Sequence, residues 1–528
     1  MQFGGRKQLS EKQKEIIVYG SLALLGLLVF LVLGSGEPVL FDDSDSYIRI
    51  RRVEGVMPVY PLFLLLNQYI FGDEKYLQIV IVEQAVLAVG SILLFIKVIK
   101  SRFELRYAEI YLCFFLCLLP FTTEMPDSMA TQQILTEGLA YALFYVFMVC
   151  LLQAVWDKKF AWLIGACGMA FLLAMLRSQL QILFGVCGIV FIYLIWSICK
   201  TPAKRLCGLL IGIAGCLLIS GAGIWIVSRA AEGYNRLIND NMTVNAFIMR
   251  IQDPEYYKEF SQTENGTVKD SEEIEAAIRT RQEEKYAAQS VIKNSQYTSL
   301  IFSRGMYEAD YEDTELFTDE VLRGLYELLY EAADQEQQRY AYENSGLWMW
   351  QDIVGGIGRV GKTCLPVGVQ YYRDYYPEIY EADSFNETWN YNLQTIGMEL
   401  LREHMGRFLY HTLMLLPQAF ICTVFFQIKQ IYLLCHLVTL FLYLSASALM
   451  VWGYADKKIN NKYAEFMAAV LGTNIVMILL ISVVFFGQQR YLVYNFGIFY
   501  VAYYLLLSQL WEKYGKNWIK KWMDRKKS

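Results

Sequence analysis

Ten apolar runs, each close to the length that crosses a bilayer, organise this chain. A spanning helix needs about 20 consecutive, mainly apolar residues. Such runs lie at about 16–35, 77–97, 106–122, 134–154, 160–176, 179–199, 206–227, 431–453, 464–486 and 492–510. In hydrocarbon, backbone polar groups must be satisfied within the segment, so such runs fold as helices. The expected fold class is an all-α polytopic membrane protein with about ten transmembrane helices and a large, mainly helical extracytoplasmic insert. The runs at 160–176 and 179–199 are separated only by Arg177 and Ser178, which requires a tight hairpin.

Charge divides the chain into three parts. Residues 231–405 hold 32 acidic and 15 basic side chains, whereas the remainder holds 20 acidic and 32 basic. An acidic, water-facing body set between apolar segments with basic flanks is how a membrane protein with an external domain distributes its charge. The expected organisation is an N-terminal membrane module of seven spans at 1–229, an acidic insert at 230–405, and a C-terminal module at 406–528. That last module comprises an interfacial helix and three spans. Helical spacing of Leu, Tyr and Ala in 315–342 predicts a folded insert. The segment 406–427 contains Pro417 and reads as an interfacial or re-entrant helix.

Lys and Arg in short loops set the orientation. Arg6, Lys7, Lys12 and Lys14 precede the first run. Later basic loops carry Lys97, Lys100, Arg102 and Arg106, then Lys158 and Lys159, then Lys200, Lys204 and Arg205. These alternate with loops at 37–76, 123–133 and 177–178. Both termini are therefore expected in the cytoplasm of a multi-pass cell-membrane protein, and those three loops and the insert outside. The first run reads as an uncleaved signal anchor.

Several familiar chemistries find little support. Ten of the eleven cysteines lie in or beside apolar runs, leaving only Cys364 in the insert, so they read as small apolar fillers. Three histidines and no metal-spaced CxxC pair give no zinc pattern. Gly356 to Thr363 matches the spacing G-x-x-x-x-G-K-[ST]. No buried strand is expected before it, and Pro366 should interrupt a following helix. The stretch is expected to be a flexible glycine loop rather than a nucleotide cradle. No nucleic-acid partner is indicated.

The loop after the first run carries the densest chemistry. Phe41-Asp42-Asp43-Ser44-Asp45-Ser46-Tyr47 is followed by Arg49, Arg51 and Arg52, then Pro58-Val59-Tyr60-Pro61-Leu62-Phe63-Leu64. Three crowded carboxylates repel one another unless a cation, a metal or a proton uses their charge. The bland reading is a solvated helix cap. Glu124 and Asp127 of the second outer loop would complete an oxygen set suited to Mg2+ or Mn2+, although no metal is demanded. Glu83 and Glu137 fall near the outer ends of their spans, and ionisable residues at such depth are functional candidates.

This arrangement resembles the GT-C superfamily of membrane glycosyltransferases, specifically the users of polyprenyl-phosphate sugars: protein O-mannosyltransferases and lipid A aminoarabinose transferases. The resemblance rests on the acidic cluster with its following Tyr, on Pro58–Leu64, on Ile134-Leu135-Thr136-Glu137, on Leu176-Arg177, and on Arg490-Tyr491 at the last run. It covers about 40–200 and 485–510 and leaves the insert unmatched. The superfamily's Asp-Glu pair is here Asp43-Ser44 or Asp42-Asp43. The resemblance implies a sugar donor linked through phosphate to a polyprenol, and transfer to an acceptor hydroxyl with inversion. The acceptor would be a cell-wall glycan, a lipid or a protein. Asp43 would act as general base, with Asp45 and then Asp42 as alternatives. Arg490 and Arg177 would hold the leaving phosphate, with Glu137, Tyr47 and Arg49 as further substrate contacts and Arg51 and Arg52 as weaker ones.

Two other classes compete. A surface-polysaccharide polymerase or ligase also carries large outer loops, but depends on loop arginines and a histidine. A lipid-linked-sugar flippase or transporter predicts mid-span charges and repeated halves; few such charges and no repeat are present.

Overall fold

The structure is a computed structural model. It describes residues 10–32, 36–41, 44–48, 57–122, 128–199, 201–240, 242–252, 296–343, 349–382, 384–425, 431–456, 459–484 and 489–515. Among these, every regular element is a helix or a helical turn, save one isolated β-bridge between Val39 and Gln133. The protein is an all-α polytopic membrane protein.

The first group of helices runs α1 (Glu11–Val32), α2 (Ser44–Ile48), α3 (Val59–Phe71), α4 (Tyr76–Phe103), α5 (Tyr107–Leu118), α6 (Glu137–Asp157), α7 (Phe160–Leu176), α8 (Leu183–Ile198), α9 (Pro202–Asp240) and α10 (Met242–Gln252). Eight helices of the described chain are long and apolar enough to cross a membrane, and five of them fall in this group. The expected runs 106–122 and 160–176 lie on shorter apolar helices, as does α3. The helix α6 is central, with most of its residues buried and α4, α7 and α8 packed against it. Peripheral helices instead expose leucines to the surroundings, such as Leu24 and Leu28 on α1 and Leu217 and Leu218 on α9. A surface of that kind is stable only in lipid.

The insert follows as α11 (Gln296–Glu308), a 3-10 turn (Tyr311–Leu316), α12 (Glu320–Glu343), α13 (Met349–Tyr375), α14 (Pro377–Tyr380) and α15 (Phe385–Glu403). It has its own core around Phe302, Tyr326, Leu329, Tyr372 and Trp389. Glycines make that core possible. A Cβ on Gly305 of α11 would stand 2.6 Å from the carbonyl oxygen of Gly397 on α15, and one on Gly397 would stand 2.9 Å from Phe302 Cα. The two backbones touch, as in small-residue helix contacts elsewhere.

The G-x-x-x-x-G-K-T stretch is not a loop. It lies wholly within α13, which also continues through Pro366. Gly356 receives the ring of Tyr307 and Gly361 receives Ser303, so these glycines serve helix packing. Tyr307 and Ser303 stand one turn apart on α11, a context the local motif does not reveal. A proline inside a helix removes one hydrogen bond; α13 is packed along its length by α11 and α12.

The last group is α16 (Met405–Val424), α17 (Tyr432–Ala455), α18 (Asn461–Val484), α19 (Gln489–Leu492), a 3-10 turn (Val493–Asn495) and α20 (Phe496–Leu510). The remaining three membrane-length helices are here, and α16, with Pro417 inside it, is not among them. The group closes on the first one: Phe103 packs on Tyr463 of α18 with ring centroids 4.6 Å apart, and α20 lies on α5. All eleven cysteines are unbridged.

Candidate functional site

The site begins with two irregular loops that satisfy one another's backbone. Val39 N–H donates to Gln132 O at 2.9 Å, and Ile134 N–H donates to Val39 O at 3.0 Å. Ser44, only 1% exposed, clamps the same junction. Its hydroxyl accepts from Phe41 N–H and donates to Ile134 O, both at 2.9 Å. Non-helical backbone at this depth is tolerated only where protein partners meet its polar groups.

Buried amides supply the remaining partners. Gln84 of α4 donates to Thr131 O at 3.0 Å and Gln133 O at 3.3 Å, and its Oε1 accepts from Tyr60 OH at 3.4 Å. Gln132 donates to Phe30 O at the end of α1, at 3.0 Å. The lack of a side chain at Gly138 leaves room for Gln84, whose Oε1 would otherwise meet a Cβ at 2.4 Å. The acid-bearing loop is thereby fixed to the loop entering α6, which α1 and α4 hold in turn.

Glu137 is the first residue of α6, and Arg177 follows the last residue of α7. Because α6 and α7 form an antiparallel hairpin, both stand at the same end and form an ion pair. The side chain of Glu137 is 2% exposed and that of Arg177 is 12% exposed. Thr136 Oγ1 donates to the other carboxylate oxygen of Glu137 at 3.0 Å. A carboxylate at a helix N-terminus also faces the positive end of the helix dipole. At Arg177 the backbone turns extended (φ −144°, ψ 119°) before the 3-10 turn Ser178–Ile182, and the side chain is largely buried.

Two more elements reach this guanidinium. It lies over the ring of Tyr491 in α19, 5.2 Å from the centroid. Tyr47 of α2 and Tyr494 are within its electrostatic reach. Tyr47 meets Tyr60 edge-to-face at 5.4 Å, and Tyr494 packs on Tyr141 at 5.1 Å. A buried cation held by one carboxylate and walled by phenols can take an oxyanion as a further ligand, because the guanidinium has five donors in a planar fork.

Of the residues singled out from sequence, Tyr47, Glu137 and Arg177 come together here. Arg490 lies on α19 beside Tyr491, and Asp45 lies on α2 beside Ser44; the side chains of both are outside the described part of the structure. Asp42, Asp43, Arg49, Arg51, Arg52, Glu124 and Asp127 also lie outside the described residues. Among the described residues no group of three or more His, Cys, Asp or Glu is set for a metal. The suggested Mg2+ or Mn2+ ligands fall largely on undescribed positions. Glu83 stands elsewhere: it accepts from Asn67 Nδ2 at 2.9 Å and joins α3 to α4.

Sequence reading passed over Ser44, Gln84, Gln132 and Tyr494. The run Thr131-Gln132-Gln133 between apolar segments was the available signal, since adjacent buried amides imply backbone to be satisfied. No protein-family model, curated protein or solved structure matches the chain.

Proposed function

We propose that this protein is a glycosyltransferase that moves a sugar from a polyprenyl-phosphate donor to an acceptor hydroxyl at the outer membrane face. The observation that carries the reading is the buried Arg177–Glu137 pair, with Tyr491 of the last membrane module facing the guanidinium and Tyr47 of the acid-bearing loop within its electrostatic reach. It supplies a buried cation in electrostatic reach of Tyr47, on the segment whose sequence holds the three aspartates. The alternation of basic loops supports placing this end of the bundle, with the acidic insert, outside the cytoplasm.

The chemistry follows from charge. The acceptor hydroxyl gives its proton to a loop carboxylate, with Asp43 the first candidate and Asp45 and Asp42 next, as its oxygen forms a bond to the anomeric carbon. The bond from that carbon to the phosphate oxygen breaks, and its electron pair leaves with the polyprenyl phosphate. Negative charge thus grows on the phosphate, where Arg177 and Arg490 stabilise it. Glu137 compensates Arg177 when no donor is present, so the cation is kept at depth without an anion.

The test uses the full chain in lipid nanodiscs with a short-chain polyprenyl phosphate and its mannosylated and glucosylated forms. Arg177→Gln should weaken binding of the polyprenyl phosphate at least tenfold. Asp43→Asn should bind it normally yet lower sugar release by about 100-fold or more, the usual contribution of a general base. Unchanged binding in Arg177→Gln, or full release in the separate Asn variants of Asp42, Asp43 and Asp45, defeats the proposal.

A further inference from the structure

A cavity of about 290 Å3 opens between the C-terminal end of α3 and α10, apart from the Arg177 site. Its walls are Gln68, Tyr69, Gly72, Asp73, Phe247, Arg250 and Ile251. Its size lies at the lower edge of small-molecule sites, which run from about 300 Å3 upward. Two of its aromatic side chains are left exposed, Tyr69 at 62% and Phe247 at 49%. Their rings stand 5.8 Å apart and tilted by 49°, so together they line an open corner rather than stack closed. Gly72, at φ +75°, ends α3 by donating to Gln68 O, and a Cβ there would meet nothing within 4 Å. The chain thus turns away and leaves the corner open.

The polar part of the lining is mixed in sign. Gln68 Nε2 donates to Asp73 Oδ1 at 2.6 Å, which orients the carboxylate, and Arg250 supplies the opposing charge. A carboxylate, an amide and a guanidinium around two aromatic faces suit a ligand with vicinal hydroxyls and apolar C–H faces. Asp73 disfavours an anionic head group, and the polar trio disfavours an acyl chain.

The cavity is also tied to the acid-bearing loop. Gln252, at the end of α10, donates to Ile48 O at 2.8 Å, joining this wall to α2. Tyr60, which touches Tyr47, lies on the same helix as Tyr69, and at 1.5 Å rise per residue the two are about 13 Å apart along α3. That separation exceeds one sugar ring.

We infer that this cavity is a subsite for a neutral pyranose unit of an oligosaccharide acceptor whose reacting end lies at the acid-bearing loop. The inference rests on the glycosyl-transfer reading for its role, but saccharide binding in the cavity stands by itself. An uncharged glycan also agrees with the acidity of the insert, which repels anionic acceptors.

The experiment is saturation-transfer NMR and calorimetric titration of the full chain in nanodiscs with maltotetraose, mannotetraose and galactotetraose. At least one should bind. Tyr69→Ala and Phe247→Ala should each weaken it at least tenfold, and Phe247→Tyr should keep it. Saccharide binding is measured without any polyprenyl phosphate, so a failure of the transfer reading and a failure of this site are read separately. The inference is overturned if none of the three binds, or if both alanine variants bind as the parent does.

Discussion

Arg177 and Glu137 occupy the two ends of one helical hairpin that face the same side, and each is the other's charge compensation inside the protein. Neither belongs to the acid-bearing loop, yet Tyr491 of the last module faces the same guanidinium and Tyr47 of that loop lies within its electrostatic reach.

Removing one member of this pair strands the other. Arg177→Ala should destabilise the membrane domain by about 3–5 kcal/mol, the usual cost of leaving a buried charge uncompensated. The double variant Arg177→Gln with Glu137→Gln should recover most of that loss in thermal unfolding while remaining unable to bind polyprenyl phosphate. Recovery of binding with recovery of stability would make the pair purely structural.

Ser44 fixes the acid-bearing loop by one hydroxyl that both accepts and donates. Ser44→Ala should cost about 1–3 kcal/mol, because the Ile134 carbonyl and the Phe41 amide both lose a partner. Sugar transfer should fall more steeply than melting temperature, and hydrogen exchange at Val39 and Ile134 should accelerate. Equal losses in activity and stability would deny the loop a positioning role.

The contact between α11 and α15 is made backbone to backbone at Gly305 and Gly397. Gly305→Leu should overpack it by about 1–3 kcal/mol or more, since a backbone carbonyl cannot move aside as a side chain can. Protease resistance of the insert and the near-ultraviolet signal of buried Trp389 should be lost, while the spans stay inserted. Gly233, where a Cβ meets nothing, serves as the control position.

The insert docks on α16 through a charged seam. Arg407 donates to Asp310 at 3.1 Å and to His404 Nδ1; His404 Nε2–H therefore donates to Asp313 at 2.7 Å, and His411 Nδ1–H donates to Glu308 at 2.7 Å. The hydrogen bond from Arg407, the largest influence, holds the Asp310 carboxyl below its ordinary range. A lowered folded-state value means the stabilisation is present above the ordinary aspartate value and is lost as pH falls through the folded one. Docking, read by hydrogen exchange across 405–415, should therefore weaken on acidification below about pH 4, the ordinary aspartate range. Asp310→Asn should weaken docking at neutral pH and flatten that part of the profile; an unchanged profile would remove Asp310 from the seam's acid response.

Helices, their approximate bounds and the separate acidic body were legible from sequence because hydrocarbon permits little else for apolar runs of that length, and because charge partitions between lipid and water. Glu137 and Arg177 were each legible as candidates at one end of consecutive antiparallel helices, but their ion pair was not, since it depends on how the two helices are rotated. Other features needed the fold. The Gly356–Thr363 spacing is a local pattern, and only the neighbours Tyr307 and Ser303 reveal it as a helix-packing face. Ser44, Gln84 and Gln132 each donate to a backbone carbonyl distant in sequence, and no local pattern names it.

Sequence by itself determined that this chain is a bundle of membrane helices with an acidic helical insert, since hydrophobic length and charge are additive along the chain. Tertiary structure alone decided which polar side chains share a buried pocket, because that depends on helix rotation and on which turns meet. A 100° step per residue makes any register error move a side chain from the pocket to the lipid.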